Sequence, residues 1–177
     1  MLLTCYGLKL TMADLKRIQQ CLSKELTTDY LTKIANRRFF YQHIQQLTDQ
    51  RFTLIIIDID FFKSINDEFG HDVGDKVLTE LAALYAKTLS QDCVFARLGG
   101  EEFAVYVPDD NQQYAIDLSQ QLLSIARTIE LTKQRNVTVS IGVSFKAADE
   151  SLAAVLKRAD LALYKAKNNG RNQYSLA

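Results

Sequence analysis

Short runs of consecutive apolar residues alternate along this chain with stretches in which apolar positions recur every three or four residues. Phe52 to Asp58 (FTLIIID) is rich in isoleucine and bounded by polar residues, the pattern of a strand buried on both faces. Phe103 to Val107 (FAVYV) and Val137 to Phe145 (VTVSIGVSF) predict two further strands. Cys93 to Arg97 lies just ahead of Gly99-Gly100, and a glycine pair between two β-prone runs signals a hairpin. Pro108, the only proline, marks a strand end before Asp109 and Asp110, and Gln173 to Leu176 is a short fifth strand.

Between these runs, Val73, Val77, Leu78, Leu81, Leu84, Tyr85 and Leu89 fall on one helix face. A second helix runs from Leu152 through Val155, Leu156, Ala159 and Leu163 to Lys167, with Ser151 suited to its N-cap and Gly170 to its C-terminal cap. Residues 112–130 and 37–49 are predicted helical too. A polar-rich helix over residues 11–27, with apolar Leu15, Ile18 and Leu22, stands apart and could pack on the domain or on a second copy. Strands separated by helices of ten or more residues, plus one hairpin, predict an α/β layer: a central sheet with helices packed on it.

Composition narrows the function. With 177 residues, 47% of them hydrophobic, the chain can bury a core that needs no disulfide or structural metal. Its 21 basic and 21 acidic residues give a formal net charge of zero, which argues against a nucleic-acid polymer as partner while leaving small phosphorylated ligands open. Cys5, Cys21 and Cys93 show no Cys-x-x-Cys spacing and no nearby histidine pair, so neither a disulfide framework nor a zinc site is expected. Met1 to Leu10 lacks the features of a signal peptide, and no apolar run approaches the roughly 20 residues of a membrane span. A cytoplasmic protein without a membrane segment is the expectation.

Two acidic segments carry the candidate chemistry. Asp58 ends a run of Leu54, Ile55, Ile56 and Ile57, where an unpaired buried charge would cost several kcal/mol, and Asp60 follows in the next turn. A strand end bearing an acid, followed by the free N–H groups of a helix start at Phe61, Phe62 and Lys63, suits a divalent cation and the phosphates it bridges. The alternative is that Asp58 and Asp60 cap that helix and pair with Lys63. In Gly99-Gly100-Glu101-Glu102-Phe103, two adjacent acids occupy a tight hairpin; turned toward Asp58 they would make an oxygen-rich site of the kind Mg²⁺ prefers. The alternative is a solvent-exposed acidic turn.

These segments resemble the GGDEF family of diguanylate cyclases, with the signature in its GGEEF form. The resemblance extends over residues 29–174: Asp29-Tyr30-Leu31-Thr32 with Asn36-Arg37-Arg38, Asp58-Ile59-Asp60-Phe61-Phe62-Lys63, Asn66 ahead of Gly70-His71-Asp72-Val73-Gly74-Asp75, Val139-Ser140-Ile141-Gly142-Val143, and Ala159-Asp160 with Tyr164-Lys165-Ala166-Lys167 and Gly170-Arg171-Asn172. It implies an N-terminal helix or linker over 1–28 and a catalytic domain over 29–177. The implied fold is α/β (α+β), a mostly antiparallel five-stranded sheet flanked by helices, similar to the palm-like, ferredoxin-like domains of nucleotide cyclases and polymerases.

The resemblance also implies roles. Asp58 and Glu101 would be side-chain metal ligands joined by the Ile59 carbonyl, for Mg²⁺ or alternatively Mn²⁺, with Glu102 a further ligand or base. Backbone N–H groups of Phe61, Phe62 and Lys63 would hold the β- and γ-phosphates, helped by the side chains of Lys63, Lys167 and Arg171, with Gly100 against the substrate. Asn66 and Asp75 would read the guanine edge. On sequence grounds alone Asp75 equally suits the first turn of a helix, and Lys167 and Arg171 its cationic end.

The implied reaction joins two GTP molecules into cyclic di-GMP with release of two pyrophosphates. It needs a homodimer, because each domain holds one nucleotide. Two other readings remain: a non-catalytic GTP- or cyclic di-GMP-binding regulator on the same fold, and a different nucleotidyl transferase on a related palm-like fold, which Asn66 and Asp75 oppose. The Arg-x-x-Asp product site of many relatives is replaced here by Ser90-Gln91-Asp92-Cys93, so little feedback inhibition is expected. No sensor domain is visible, so the input is expected from a partner protein or a further domain.

Overall fold

The computed structural model describes residues 26–47, 49–133 and 135–177 together with Met12, Asp14, Lys16 and Arg17. In chain order the elements are β1 (Ala35–Asn36), α1 (Arg37–Gln45), β2 (Phe52–Ile59), α2 (Phe62–Phe69), α3 (His71–Thr88), β3 (Val94–Gly99), β4 (Glu102–Val107), α4 (Gln112–Ala126), β5 (Glu130–Thr132), β6 (Arg135–Asn136), β7 (Val139–Lys146), α5 (Leu152–Asn168) and β8 (Tyr174–Leu176).

β2 is the central strand, buried along its whole length as its unbroken apolar run predicts. It pairs antiparallel with β4 on one side and β7 on the other. β3 and β4 form the predicted hairpin, and β1 and β8 join the two edges in parallel, giving the order β1-β3-β4-β2-β7-β8. β5 and β6 form a separate small ribbon.

Side chains alternate across a strand, so β2 splits its residues between two cores. Ile55, Ile57 and Ile59 face the layer built from α2, α3 and α4, where Ile65, Leu78, Leu81, Tyr85 and Leu122 are buried. Phe52, Leu54 and Ile56 face the opposite layer, with Phe40 and Ile44 of α1 and Val155, Ala159 and Leu163 of α5. α5 lies directly on β7. A Cβ at Gly142 would stand 2.2 Å from the Ala159 carbonyl oxygen and 2.4 Å from the Leu163 nitrogen, so only glycine admits this approach.

The sheet therefore has six strands where five were expected. The extra strand, β1, is two residues long and has no pattern of its own; it is recruited by parallel pairing with Ala96 and Arg97. Helix α4 ends at Ala126 rather than 130, because Glu130–Thr132 turns back as a strand, and α1 ends at Gln45 rather than 49. Of the expected helix over 11–27, Met12, Asp14, Lys16, Arg17, Leu26 and Thr27 are helical, while Leu15, Ile18 and Leu22 lie outside the described residues. No helix among the described residues is long and apolar enough to cross a membrane.

Candidate active site

The parity that sends Leu54 and Ile56 to the α1/α5 layer sends Asp58 the same way. On β4, Ala104 and Tyr106 face that layer too, so Glu102 shares it, and the register places Asp58 directly opposite Glu102. The hairpin closes over the strand end through the Ile59 N–H, which donates to the Glu101 carbonyl at 3.3 Å. Two distant acidic segments thus meet at one point of the sheet.

Asp58 is 7% exposed and pairs with Lys167 of α5, Nζ to Oδ2 at 2.8 Å, rather than with Lys63. Burial pushes its carboxyl above the usual carboxylate range, and the charges of Glu101 and Glu102 push the same way against the pull of Lys167. Among the described residues no group of three His, Cys, Asp or Glu side chains is already gathered to hold a metal ion. The donor chemistry still fits a hard cation. Asp58 carries excess negative surroundings, Glu101 is half-buried, Glu102 is exposed on a long side chain, and a Cβ at Gly99 or Gly100 would meet nothing within 4 Å.

Beyond β2 the chain turns sharply. Asp60 leaves the site altogether: it is buried and accepts from Thr138 Oγ1 at 2.8 Å, Ser140 Oγ at 2.6 Å and the Asn172 N–H at 3.0 Å. Phe61 then takes the left-handed conformation, φ 57°, at the N-cap of α2 and supplies no side-chain cap. The helix start is accordingly open for the backbone N–H groups of Phe62 and Lys63, the situation in which a helix N-terminus receives phosphate. Phe62 is buried, and Phe61 and Lys63 are exposed.

On the α2/α3 side, a Cβ at Gly74 would stand 1.9 Å from Asn66 Oδ1 and 3.2 Å from Phe62 Cζ. The glycine lets Asn66 lie against α3 beside Asp75. Asp75 is exposed in the second turn of α3, and Asp72 is the acid in the first turn. Lys167 lies in the last turn of α5, and the chain turns at Gly170, φ 111°, so that the Arg171 guanidinium sits 4.5 Å over the Phe61 ring. The positions gathered at this end of the sheet are Asp58, Ile59, Phe61, Phe62, Lys63, Gly100, Glu101, Glu102, Lys167 and Arg171, with Asn66 against Gly74 on the flank and Asp75 next along α3.

Arg97 had no assigned role in the sequence. It stands two residues before the glycine pair, donating from Nε to the Gly100 carbonyl at 2.9 Å and from Nη1 to Asp29 Oδ1 at 3.2 Å. Burial alone would raise the Asp29 carboxyl; hydrogen bonds from Thr32 and the Arg97 guanidinium outweigh it and hold the group below its usual range. A charged residue inside a short strand was the available signal. Beside Glu102 and Lys167 a cavity of about 360 Å³ opens, lined also by Arg37, Tyr41, Asp160 and Tyr164.

Comparison with known proteins gives the family and the fold. The family described as diguanylate cyclase, GGDEF domain, matches residues 26–173. Diguanylate cyclase DgcM of Escherichia coli is 35% identical over 95% of this chain, which spans 44% of that relative. The crystal structure of the coiled coil and GGDEF domain of DgcB from Caulobacter crescentus in complex with c-di-GMP is similar at TM-score 0.84 and 28% identity, covering 93% of this chain and 94% of that one. Diguanylate cyclase SiaD of Pseudomonas aeruginosa, in complex with its activator SiaC, is similar at TM-score 0.82 and 31% identity, covering 92% of this chain and 66% of that one.

Proposed function

The chain belongs to the GGDEF diguanylate cyclase family, and on that premise we propose that it condenses two GTP molecules into cyclic di-GMP, releasing two pyrophosphates. The observation that carries this is the register of Asp58 against Glu102, with Glu101 folded over Ile59 beside the uncapped start of α2.

Asp58, Glu101, Glu102 and the Ile59 carbonyl would hold Mg²⁺, or Mn²⁺ in its place. A bound divalent ion would lower the pKa of the attacking 3′-hydroxyl and neutralise charge on the departing pyrophosphate. The N–H groups of Phe61, Phe62 and Lys63 and the side chains of Lys63, Lys167 and Arg171 then orient the triphosphate, so that the α-phosphate meets its nucleophile in line. Glu102, opposite Asp58, would serve either as a further metal ligand or as the base that takes the hydroxyl proton. Asp75 and Asn66 accept from and donate to the guanine edge; adenine lacks the N1–H and N2–H₂ donors and would leave Asp75 unpaired, which selects GTP over ATP.

Each 3′-hydroxyl attacks the nucleotide held by the other copy, so two half-sites must meet across a two-fold axis. The domain is therefore a weak catalyst as a monomer, and its turnover rises more steeply than linearly with protein concentration below the dimerisation constant. The activating input comes from a partner protein or further domain; the similar SiaD forms a complex with its activator SiaC. Its setting is the cytoplasm, where GTP is supplied.

The test is incubation with GTP, ATP and Mg²⁺, followed by product identification. Cyclic di-GMP and pyrophosphate from GTP alone are expected, with turnover lost in Asp58→Ala and Glu101→Ala variants that remain folded. Nucleotide binding without product would overturn the assignment.

A further inference from the structure

Asp60 lies within the segment that carries the metal and phosphate positions, yet its carboxylate points away from them. Both of its oxygens are used: Oδ1 accepts from Ser140 Oγ at 2.6 Å, and Oδ2 from Thr138 Oγ1 at 2.8 Å and the Asn172 N–H at 3.0 Å. The first two contacts knit β2 to β7. The third reaches across to the loop between α5 and β8, next to Arg171.

That loop is held in an unfavourable form. Arg171 and Asn172 are consecutive non-glycine residues in the left-handed region, φ 62° and 49°, a combination that persists only when surrounding contacts enforce it. A second anchor comes from the exposed Arg127 just beyond α4, whose Nε donates to Asn172 Oδ1 at 2.8 Å and Nη2 to the Asn172 carbonyl at 3.2 Å. Arg127 is itself fixed, since its carbonyl accepts from Asn136 Nδ2 at 2.7 Å. Asn172 is thus gripped at its N–H, its carbonyl and its side chain. The residue before it is aimed as a result: the Arg171 guanidinium sits 4.5 Å over the Phe61 ring, at the turn that leads into α2.

We propose that Asp60 and Arg127 are positioning residues for Arg171, clamping Asn172 so that the guanidinium waits in place for the triphosphate before it arrives. The inference rests on the functional reading above and adds to it a pair of residues that never touch the nucleotide. Arg127 is informative because it is exposed, lies outside the sheet and bears on the site only through Asn172.

The test measures the affinity of the dimeric protein, in Mg²⁺, for 3′-deoxyGTP, which lacks the attacking hydroxyl, and for GMP. Arg127→Ala should weaken 3′-deoxyGTP by about fivefold, of the order of one net hydrogen bond, and leave GMP unchanged. Arg171→Ala should weaken it by tenfold or more, as expected for charge-assisted contacts, and adding Arg127→Ala to that variant should produce no further loss. Asp60→Asn should retain affinity, because its amide oxygen can accept from Thr138 and Asn172 while its NH₂ donates to Ser140. Asp60→Ala, where folded, should behave like Arg127→Ala. An unchanged 3′-deoxyGTP affinity in Arg127→Ala, or the same fivefold loss in the Arg171→Ala background, would overturn the inference alone. Failure of the unaltered protein to bind 3′-deoxyGTP would overturn the functional reading and this inference with it.

Discussion

The ammonium of Lys167 lies 2.8 Å from Asp58 Oδ2, across the layer between α5 and the end of β2. A cation thus already sits on the carboxylate that faces Glu102, and it compensates only part of the local charge. Asp58 holds its proton more tightly in the folded chain than in the unfolded one, chiefly through burial. Stability from this group therefore falls as pH rises from the model-compound value of 3.8 through the folded value, and the deficit is in place at neutral pH. Asp58→Asn should raise the melting temperature of the metal-free protein at pH 7, by about 2–4 °C for roughly 1 kcal/mol. It should also abolish any further rise on adding Mg²⁺. Calorimetry with and without Mg²⁺ checks both, and a metal-free variant less stable than the parent would contradict them.

Gly74→Ala should disturb guanine recognition chiefly through Asn66, with the Phe62 ring the next nearest neighbour. Its methyl group would be forced against Asn66 Oδ1, so the Asn66 side chain must move off α3. The expected outcome is a KM for GTP raised about fivefold, the loss of about one net hydrogen bond, with reduced preference over ATP. Steady-state kinetics with both nucleotides would show it, and an unchanged GTP preference would count against this role for Asn66.

Arg97 joins the hairpin to the segment at Asp29 that leads in from the N-terminal side, so Arg97→Ala should loosen the Glu101–Glu102 turn. The Asp29 carboxyl is held low, and its contribution to stability is present above pH 3.8 and disappears as pH falls through the folded value. Arg97→Ala should thus cost about 1 kcal/mol at pH 7 and progressively less below pH 3.8. Urea titrations at pH 7 and pH 3 would reveal the convergence.

The expected weakness of product feedback has a structural counterpart. The turn before β3 reads Ser90-Gln91-Asp92-Cys93, Asp92 is exposed, and no arginine stands there to grip a phosphate. Cyclic di-GMP should inhibit only at concentrations far above those that saturate an arginine-based site, and Asp92→Ala should leave the inhibition curve unmoved. A submicromolar inhibition constant lost in that variant would reverse the expectation.

The fold was legible where burial is continuous: the apolar run of β2 announces a central strand, and the spacing from Val73 to Leu89 announces α3. β1 was not legible, because two residues carry no period and their pairing is a tertiary event. In the site, the acids were readable as residue types, but the facing of Asp58 and Glu102 depends on a register between strands far apart in the chain. Lys167 reaches Asp58 only because Gly142 admits α5 onto the sheet. Asp60 resembles Asp58 in every local respect. What separates them is that β2 ends between them and the chain bends left-handed at Phe61, turning one carboxylate to the candidate site and the other to the loop that bears Arg171.

The outermost strands of the sheet contain two and three residues, β1 at one margin and β8 at the other. Such stubs give a neighbouring molecule almost no main-chain rail to lengthen, which guards against fibrous stacking. The dimer proposed above would then form through side-chain surfaces, a mode that can be reversed and so placed under control.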